Sequence, residues 1–166
     1  MHSGTSSGVR RALLAALTTV VIATTLGPAP VRAADAARVP ARSSADQYAE
    51  QAFAATNAQR TGRDRSKLRE SSCLTRVAER WARSMAGKGR LEHQSLKPIL
   101  RRCDLTLVGE NIAVGYPSGK AVVNRGWMHS AGHRENILRP QFRLMGIGAH
   151  RDGSGRWWVS QVFGRA

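Results

Sequence analysis

The spacing of apolar residues changes several times along the chain. From Asp46, "ADQYAEQAFAATNAQR" places Tyr48, Ala52, Phe53 and Thr56 on one helical stripe, and "TGRDRS" breaks it. A second helix is more sharply drawn. Leu74, Val77, Ala78, Trp81, Ala82 and Met85 recur at three- and four-residue steps and form one continuous apolar face. Ser71 or Ser72 caps its start, Gly87 sits at its end, and Trp81 is expected in the core. A short helix is predicted near Ser95 in "SLKPILRRC", with Pro98 tolerated in its first turn. "LTLVGENIAVG" reads as a buried strand running into a loop. After "YPSG" a fourth helix turns Val122, Val123 and Trp127 inward. "RLMGIGAH" and "RWWVSQVFG" are two β-rich runs, and the Asp and Gly of "RDGSG" mark a hairpin between them. Trp157 and Trp158 are consecutive and so face opposite sides of a strand, with Val159 and Phe163 on the Trp157 side. Helices first, with a small antiparallel sheet among them, predict an α+β fold.

The chain ahead of these elements has a different composition. Residues 1–33 read as an export signal. Arg10 and Arg11 form a positive end, Ala12 to Leu26 is a short apolar run, and Gly27, Pro28 and Pro30 end it. Small residues then allow cleavage after Ala33 or after Ala36. The run is short for a membrane span, and no later segment is apolar enough to be one. "RRALL" weakly resembles a twin-arginine signal, which leaves both export routes open. Residues 34–45 form a flexible lead-in, and the domain proper runs over 46–164.

Charge adds a candidate partner. Removing residues 1–33 takes away three arginines and no acids, and so lowers the formal net charge from +15 to +12. A basic protein favours anionic partners such as a cell-wall polymer or lipid headgroups. The densest cluster, Arg60, Arg63, Arg65 and Arg69, has no interleaved aromatics and so lacks the stacking platform of single-strand binders. Nucleic acid is therefore not expected as a partner, and the arginines read as a solvated surface. Cys73 and Cys103 are the only cysteines, and in an oxidising compartment they predict one disulfide, worth about 2–4 kcal/mol.

Candidate chemistry is sparse. No Gly-x-Ser-x-Gly elbow is present, and the disulfide takes both cysteines. The exported chain holds His93, His129, His133 and His150. His129 and His133 have the four-residue spacing of a zinc-protease helix, but Ser130 stands where that helix needs its glutamate. Gly132 between them weakens any shared helix. His129 and His150 are read as surface residues.

"LTRVAERWARSMA", "LEHQS", "GENIAVG", "VVNRGWMHSAGHRENIL" and "MGIGAHRDGSGRWWVSQVFG" occur in that order. Together they resemble the CAP superfamily of cysteine-rich secretory proteins, antigen 5 and plant pathogenesis-related proteins, in its short bacterial secreted branch. The resemblance covers residues 47–164. It implies a three-layer α-β-α sandwich with a small central antiparallel sheet, and a cavity lined by two histidines and two glutamates. The motif positions fall on His93, Glu110 and His133. The second glutamate falls on Ser130, so one cavity carboxylate is missing. Asn111 and Asn136 follow the same motifs and are expected to bond backbone groups and hold the loops.

Three functions fit this reading. The first is a secreted, monomeric, non-catalytic binding module, whose cavity takes a lipidic or small ligand or weakly binds zinc or another divalent metal through His93 and His133. The second is a metal-assisted hydrolase with Glu110 as general base. The third is a basic adhesin held on an anionic cell-wall polymer. No cofactor is required by any residue pattern, and the first reading is favoured because no catalytic constellation is complete.

Overall fold

The structure, a computed structural model, describes residues 43–166. The expected export signal and nearly all of the lead-in lie outside the described residues. Helix α1 spans Ser44–Thr61 and so begins two residues before Asp46, where the apolar stripe suggested. Ser43 is the reason. Its hydroxyl accepts from the Asp46 N–H while the Asp46 side chain accepts from the Ser43 N–H, the reciprocal pairing of a capping box. Tyr48, Ala52, Ala55 and Thr56 are buried, whereas Phe53 is only half-buried.

Strand β1 is only Arg69–Glu70. Helix α2 spans Ser72–Lys88, is capped by the Ser71 hydroxyl, and ends at Gly89 rather than Gly87. Gly89 has φ +62, a left-handed conformation that closes the helix and suits glycine. Trp81 is half-buried, not core: its Nε1 donates to the Glu92 carbonyl at 2.8 Å, and the Lys88 ammonium sits 5.3 Å from the ring centroid. Helix α3, Lys97–Arg102, carries Pro98 in its first turn as expected. Cys73 and Cys103 form the predicted disulfide, Cα to Cα 5.8 Å, which ties the start of α2 to the end of α3.

Strand β2 is Leu107–Val114. The expected fourth helix is a composite: α4, Gly119–Ala121, a π turn over Val122–Gly126 and a 3-10 turn over Trp127–His129. Val122, Val123 and Trp127 point inward as predicted. Helix α5 spans Ala131–Leu138. The chain breaks between turn and helix at extended Ser130 (φ −107, ψ 125), and Gly132 lies inside α5. Strands β3, Leu144–Arg151, and β4, Trp157–Arg165, form the expected hairpin.

The sheet order is β1-β3-β4-β2. The three long strands are antiparallel, and β1 adds a two-residue parallel pairing to β3 that the sequence reading did not contain. Asn57 prepares that pairing by exchanging hydrogen bonds of 3.1 and 2.8 Å with Leu68, just ahead of β1.

Even-numbered residues of β4 face α2 and α3. Val162 packs there with Leu74, Val77, Ala78 and Ile99, and each valine, leucine or isoleucine gains roughly 1.5–3 kcal/mol on full burial. Gly146 and Gly148 let α2 approach β3 closely; a Cβ on either would lie 2.1 Å from an α2 backbone nitrogen. Odd-numbered residues face α1, the composite segment and α5. Trp157 packs on Tyr48 at 4.8 Å and Phe142 stacks on Phe163 at 5.2 Å, with Val159 in the same core. Trp158 points the other way, as alternation required, and its Nε1 donates to Asp152 Oδ2 at 2.7 Å.

One expectation fails inside α1. Arg60, read as part of a solvated cluster, is 1% exposed. Its Nε donates to Ser66 O at 2.8 Å, and one Nη donates to Ile137 O at 2.7 Å and Arg139 O at 3.0 Å. The last two carbonyls belong to the C-terminal end of α5, where the helix dipole is negative and stabilises a cation. Burial lowers the Arg60 pKa, and the nearby Arg143 and Arg65 lower it further.

Candidate functional site

The candidate residues gather at the β2 edge of the sheet. Glu110 and Asn111 are consecutive on β2, so their side chains leave by opposite faces. Glu110 turns toward the segment between α2 and α3. Oε1 accepts from Gln94 Nε2 at 2.7 Å and from Ser160 Oγ at 2.9 Å. Oε2 accepts from the Gln94 N–H at 3.3 Å and lies 2.9 Å from His93 Nδ1. A carboxylate only accepts, so this contact assigns a proton to His93 Nδ1, and Nε2 is the acceptor whenever the ring is neutral. The Glu110 side chain is 1% exposed and that of His93 is 58% exposed. The carboxylate is thus sealed, and the imidazole is its outlet to solvent.

Asn111 turns to the other face. Its Nδ2 donates to the His133 carbonyl and to Gln161 Oε1, both at 3.1 Å. Asn136, on α5, donates from Nδ2 to Asn111 Oδ1 at 3.0 Å and to the Glu110 carbonyl at 3.1 Å. Trp127 Nε1 donates to the Ile112 carbonyl at 3.1 Å. Both asparagines therefore hold backbone as expected, and they lock α5 onto β2.

His133 is half-buried on α5. Burial pushes its pKa below the ordinary value, and a positive charge on His93 lowers it further. His129 is exposed in the 3-10 turn and shares no helix with His133. Ser130 contributes backbone: its N–H donates to Trp127 O and its carbonyl accepts from Arg134 N–H. No described hydrogen bond joins its hydroxyl to the Glu110 cluster. His150 is half-buried at the far edge of the sheet, opposite Trp158 on β4.

A catalytic metal does not fit these residues. Among the described residues, no group of three or more His, Cys, Asp or Glu is placed to hold one ion, whereas catalytic zinc takes three protein ligands. Glu110 is occupied by four hydrogen bonds and is oriented as a partner of His93 rather than as a ligand. The sequence reading missed Gln94 and Ser160, which seal it. Gln94 stood in the "LEHQS" motif; for Ser160 the only signal was strand alternation.

Known proteins resemble this chain in sequence and in fold. The family model described as the cysteine-rich secretory protein family, CAP, matches residues 53–163. The Bacillus subtilis (strain 168) protein YkwD is 32% identical over 132 residues, which make up 75% of this chain and 50% of YkwD. The chain thus spans about half the length of that relative. The crystal structure of an extracellular protein containing a SCP domain from Bacillus anthracis superposes with a TM-score of 0.66 at 28% identity, over 74% of this chain and 41% of that one. An outer surface protein from Borrelia burgdorferi shares the fold, with a TM-score of 0.62 at 18% identity, over 68% of this chain and 88% of that one.

Proposed function

The chain belongs to the CAP, or cysteine-rich secretory protein, family, and from that premise we propose that it is a secreted, monomeric, non-catalytic binding module. The observation that carries this reading is the state of Glu110. A general base needs a lone pair directed at a bound water. Here all the hydrogen bonds of the carboxylate are spent within the fold. That arrangement instead orients His93 and fixes its tautomer, as carboxylate partners do for imidazoles that meet a cation or a donor.

His93 Nε2 and His133 are the two nitrogen ligands on offer at the β2 edge. Two imidazoles without a carboxylate suit weak, reversible capture of zinc or a similar divalent ion, or a hydrogen bond to a small polar headgroup. The export signal ending at Ala33 or Ala36 delivers the domain, residues 46–164, outside the cell. No described helix is long and apolar enough to cross a membrane. The excess of arginine then favours retention near an anionic cell-wall polymer or lipid.

Zinc titration by calorimetry, on the protein and on His133→Ala, tests the site. Weak binding by the protein and its loss in the variant are expected. Equal binding by both would remove the two-imidazole site. Chelator-sensitive turnover that disappears in Glu110→Gln would instead establish a hydrolase.

A further inference from the structure

A cleft of about 290 Å³ lies between α2, α3 and the segment that joins them. Val77, Trp81 and Ile99 give it an apolar lining, and Arg80 enters from α2 and Arg102 from α3. Helical spacing makes this selection. Val77, Arg80, Trp81 and Ser84 share one face of α2, whereas Arg76 and Arg83 of the same helix and Arg101 of α3 do not line the cleft.

The walls are fixed at both ends. The Cys73–Cys103 disulfide ties the start of α2 to the end of α3. At the other end Trp81 Nε1 donates to the Glu92 carbonyl, and the Gln94 N–H and Nε2 both donate to Glu110. A receptor held in this way loses little freedom when a ligand enters.

Both arginines are exposed, and among the described residues no hydrogen bond or ion pair engages either guanidinium. No carboxylate lines the cleft. The neighbouring Glu92 is paired with Lys88 and Arg90, and Glu79 lines clefts on another side of α2. Two cations that share an apolar cleft repel each other, and an oxyanion between them turns that repulsion into attraction.

We propose that this cleft binds a phosphate ester, with the phosphoryl group held between Arg80 and Arg102 and the esterified body resting on Val77, Trp81 and Ile99. A phosphate monoester carries nearly two negative charges at neutral pH and three terminal oxygens. That matches two planar guanidinium forks better than a carboxylate does, with its single charge. The hydroxyls of Ser84 and Ser95 lie on the same lining and can donate to the remaining oxygen lone pairs. Gln94 spends its Nε2 on Glu110, so its Oε1 is left to accept from a hydroxyl of the ester. The site gives the anionic partner of the proposed function a definite place and rests on that part of the reading. It does not rest on the two imidazoles, neither of which lines the cleft.

The test is titration of the full chain with glycerol phosphate, followed by NMR of the backbone amides and tryptophan indoles. Saturable shifts at Arg80, Trp81, Ser84, Ser95 and Arg102, and none at His133, are expected. An absence of shifts in α2 and α3 would overturn the site without reliance on any variant. Arg80→Ser/Arg102→Ser should weaken binding by about tenfold or more. Lys67→Ser/Arg69→Ser removes the same charge from exposed positions outside the cleft and should change binding by less than about twofold, because distant surface charges are screened. Equal weakening by the two pairs would overturn the cleft in favour of general charge attraction. Sedimentation with phosphatidylcholine vesicles containing phosphatidic acid separates the sources of the ester. Co-sedimentation lost only in the Arg80 and Arg102 variant assigns a lipid headgroup, and glycerol phosphate binding without co-sedimentation assigns a soluble or polymer-borne ester. Vesicle binding that falls equally in both variants would keep the attraction to anionic surfaces and remove this cleft from it.

Discussion

The two edges of the sheet are finished by different means. At β2, side chains do the closing: Trp127 and Asn136 donate to the Ile112 and Glu110 carbonyls. Backbone groups exposed on a sheet edge invite pairing with other chains, and two of the outward carbonyls of β2 are engaged within the fold. At β3, closing is left to β1 and stops after two residues. Beyond it the edge faces a cleft lined by carboxylates and apolar side chains. The β2 edge thus presents a side chain outward, His93 backed by Glu110, whereas past Met145 the β3 edge presents backbone groups.

The largest effect that sharpens this contrast belongs to Trp127, which is 1% exposed. Trp127→Ala removes a buried aromatic and the Ile112 cap together, and should cost about 3–5 kcal/mol in denaturant unfolding. A cost well under that range would mean the β2 edge is closed by something other than this indole. Asn136→Ala is smaller, because it deletes two hydrogen bonds with little volume. It leaves the Glu110 carbonyl and Asn111 Oδ1 without their donor, at about 1–3 kcal/mol. Amide exchange in β2 should rise with that loss. Unchanged exchange would break the claim that Asn136 locks α5 to the edge.

The two edges also differ in how far the sequence disclosed them. The α2 face, the disulfide, the hairpin and inward Trp127 were legible, because each follows from local periodicity or from elimination. His93, Glu110 and His133 were legible only as family motif positions. Their division into a sealed carboxylate and an open imidazole depends on Gln94 and Ser160, and no local pattern joins residues so far apart in sequence. Strand β1 left no signal: two charged residues carry no alternation, and parallel pairing to β3 is a long-range event. Arg60 was misread because its charge outweighed its position. It continues the four-residue steps of Tyr48, Ala52 and Thr56 along α1, so periodicity placed it inward, and the carbonyls that accept its charge become visible only in the fold.

A further difference is in pH response. The folded-state pKa of His133 lies below its ordinary 6.5, first through burial and then through His93. Below pH 6.5 the unfolded chain takes up this proton before the folded chain does, so stability falls as pH drops. The loss stops once the folded histidine also protonates. His133→Asn should flatten that part of a melting-temperature profile between pH 7 and pH 5. A profile unchanged by the substitution would remove His133 from the acid response of the β2 edge. Because the histidine is only half-buried, solvent screening keeps the slope shallow.

The smallest expected effect discriminates most between the edges. Proline lacks an N–H and is tolerated in a sheet only where that N–H faces outward. Ladder alternation places the Ala149 N–H outward, away from β4. Ala149→Pro should therefore change stability by less than about 1 kcal/mol. Ala113→Pro on β2 is the matching control. Ala113 pairs with Val159 in the hydrogen-bonded phase of the ladder, two residues from the Gly115 N–H that donates to Trp157 O. Losing that inward donor should cost roughly 3 kcal/mol or more. Thermal unfolding of the two variants side by side checks the assignment of inward and outward groups. Equal destabilisation would mean that the Ala149 N–H already has a partner, and that the β3 edge is as closed as the β2 edge.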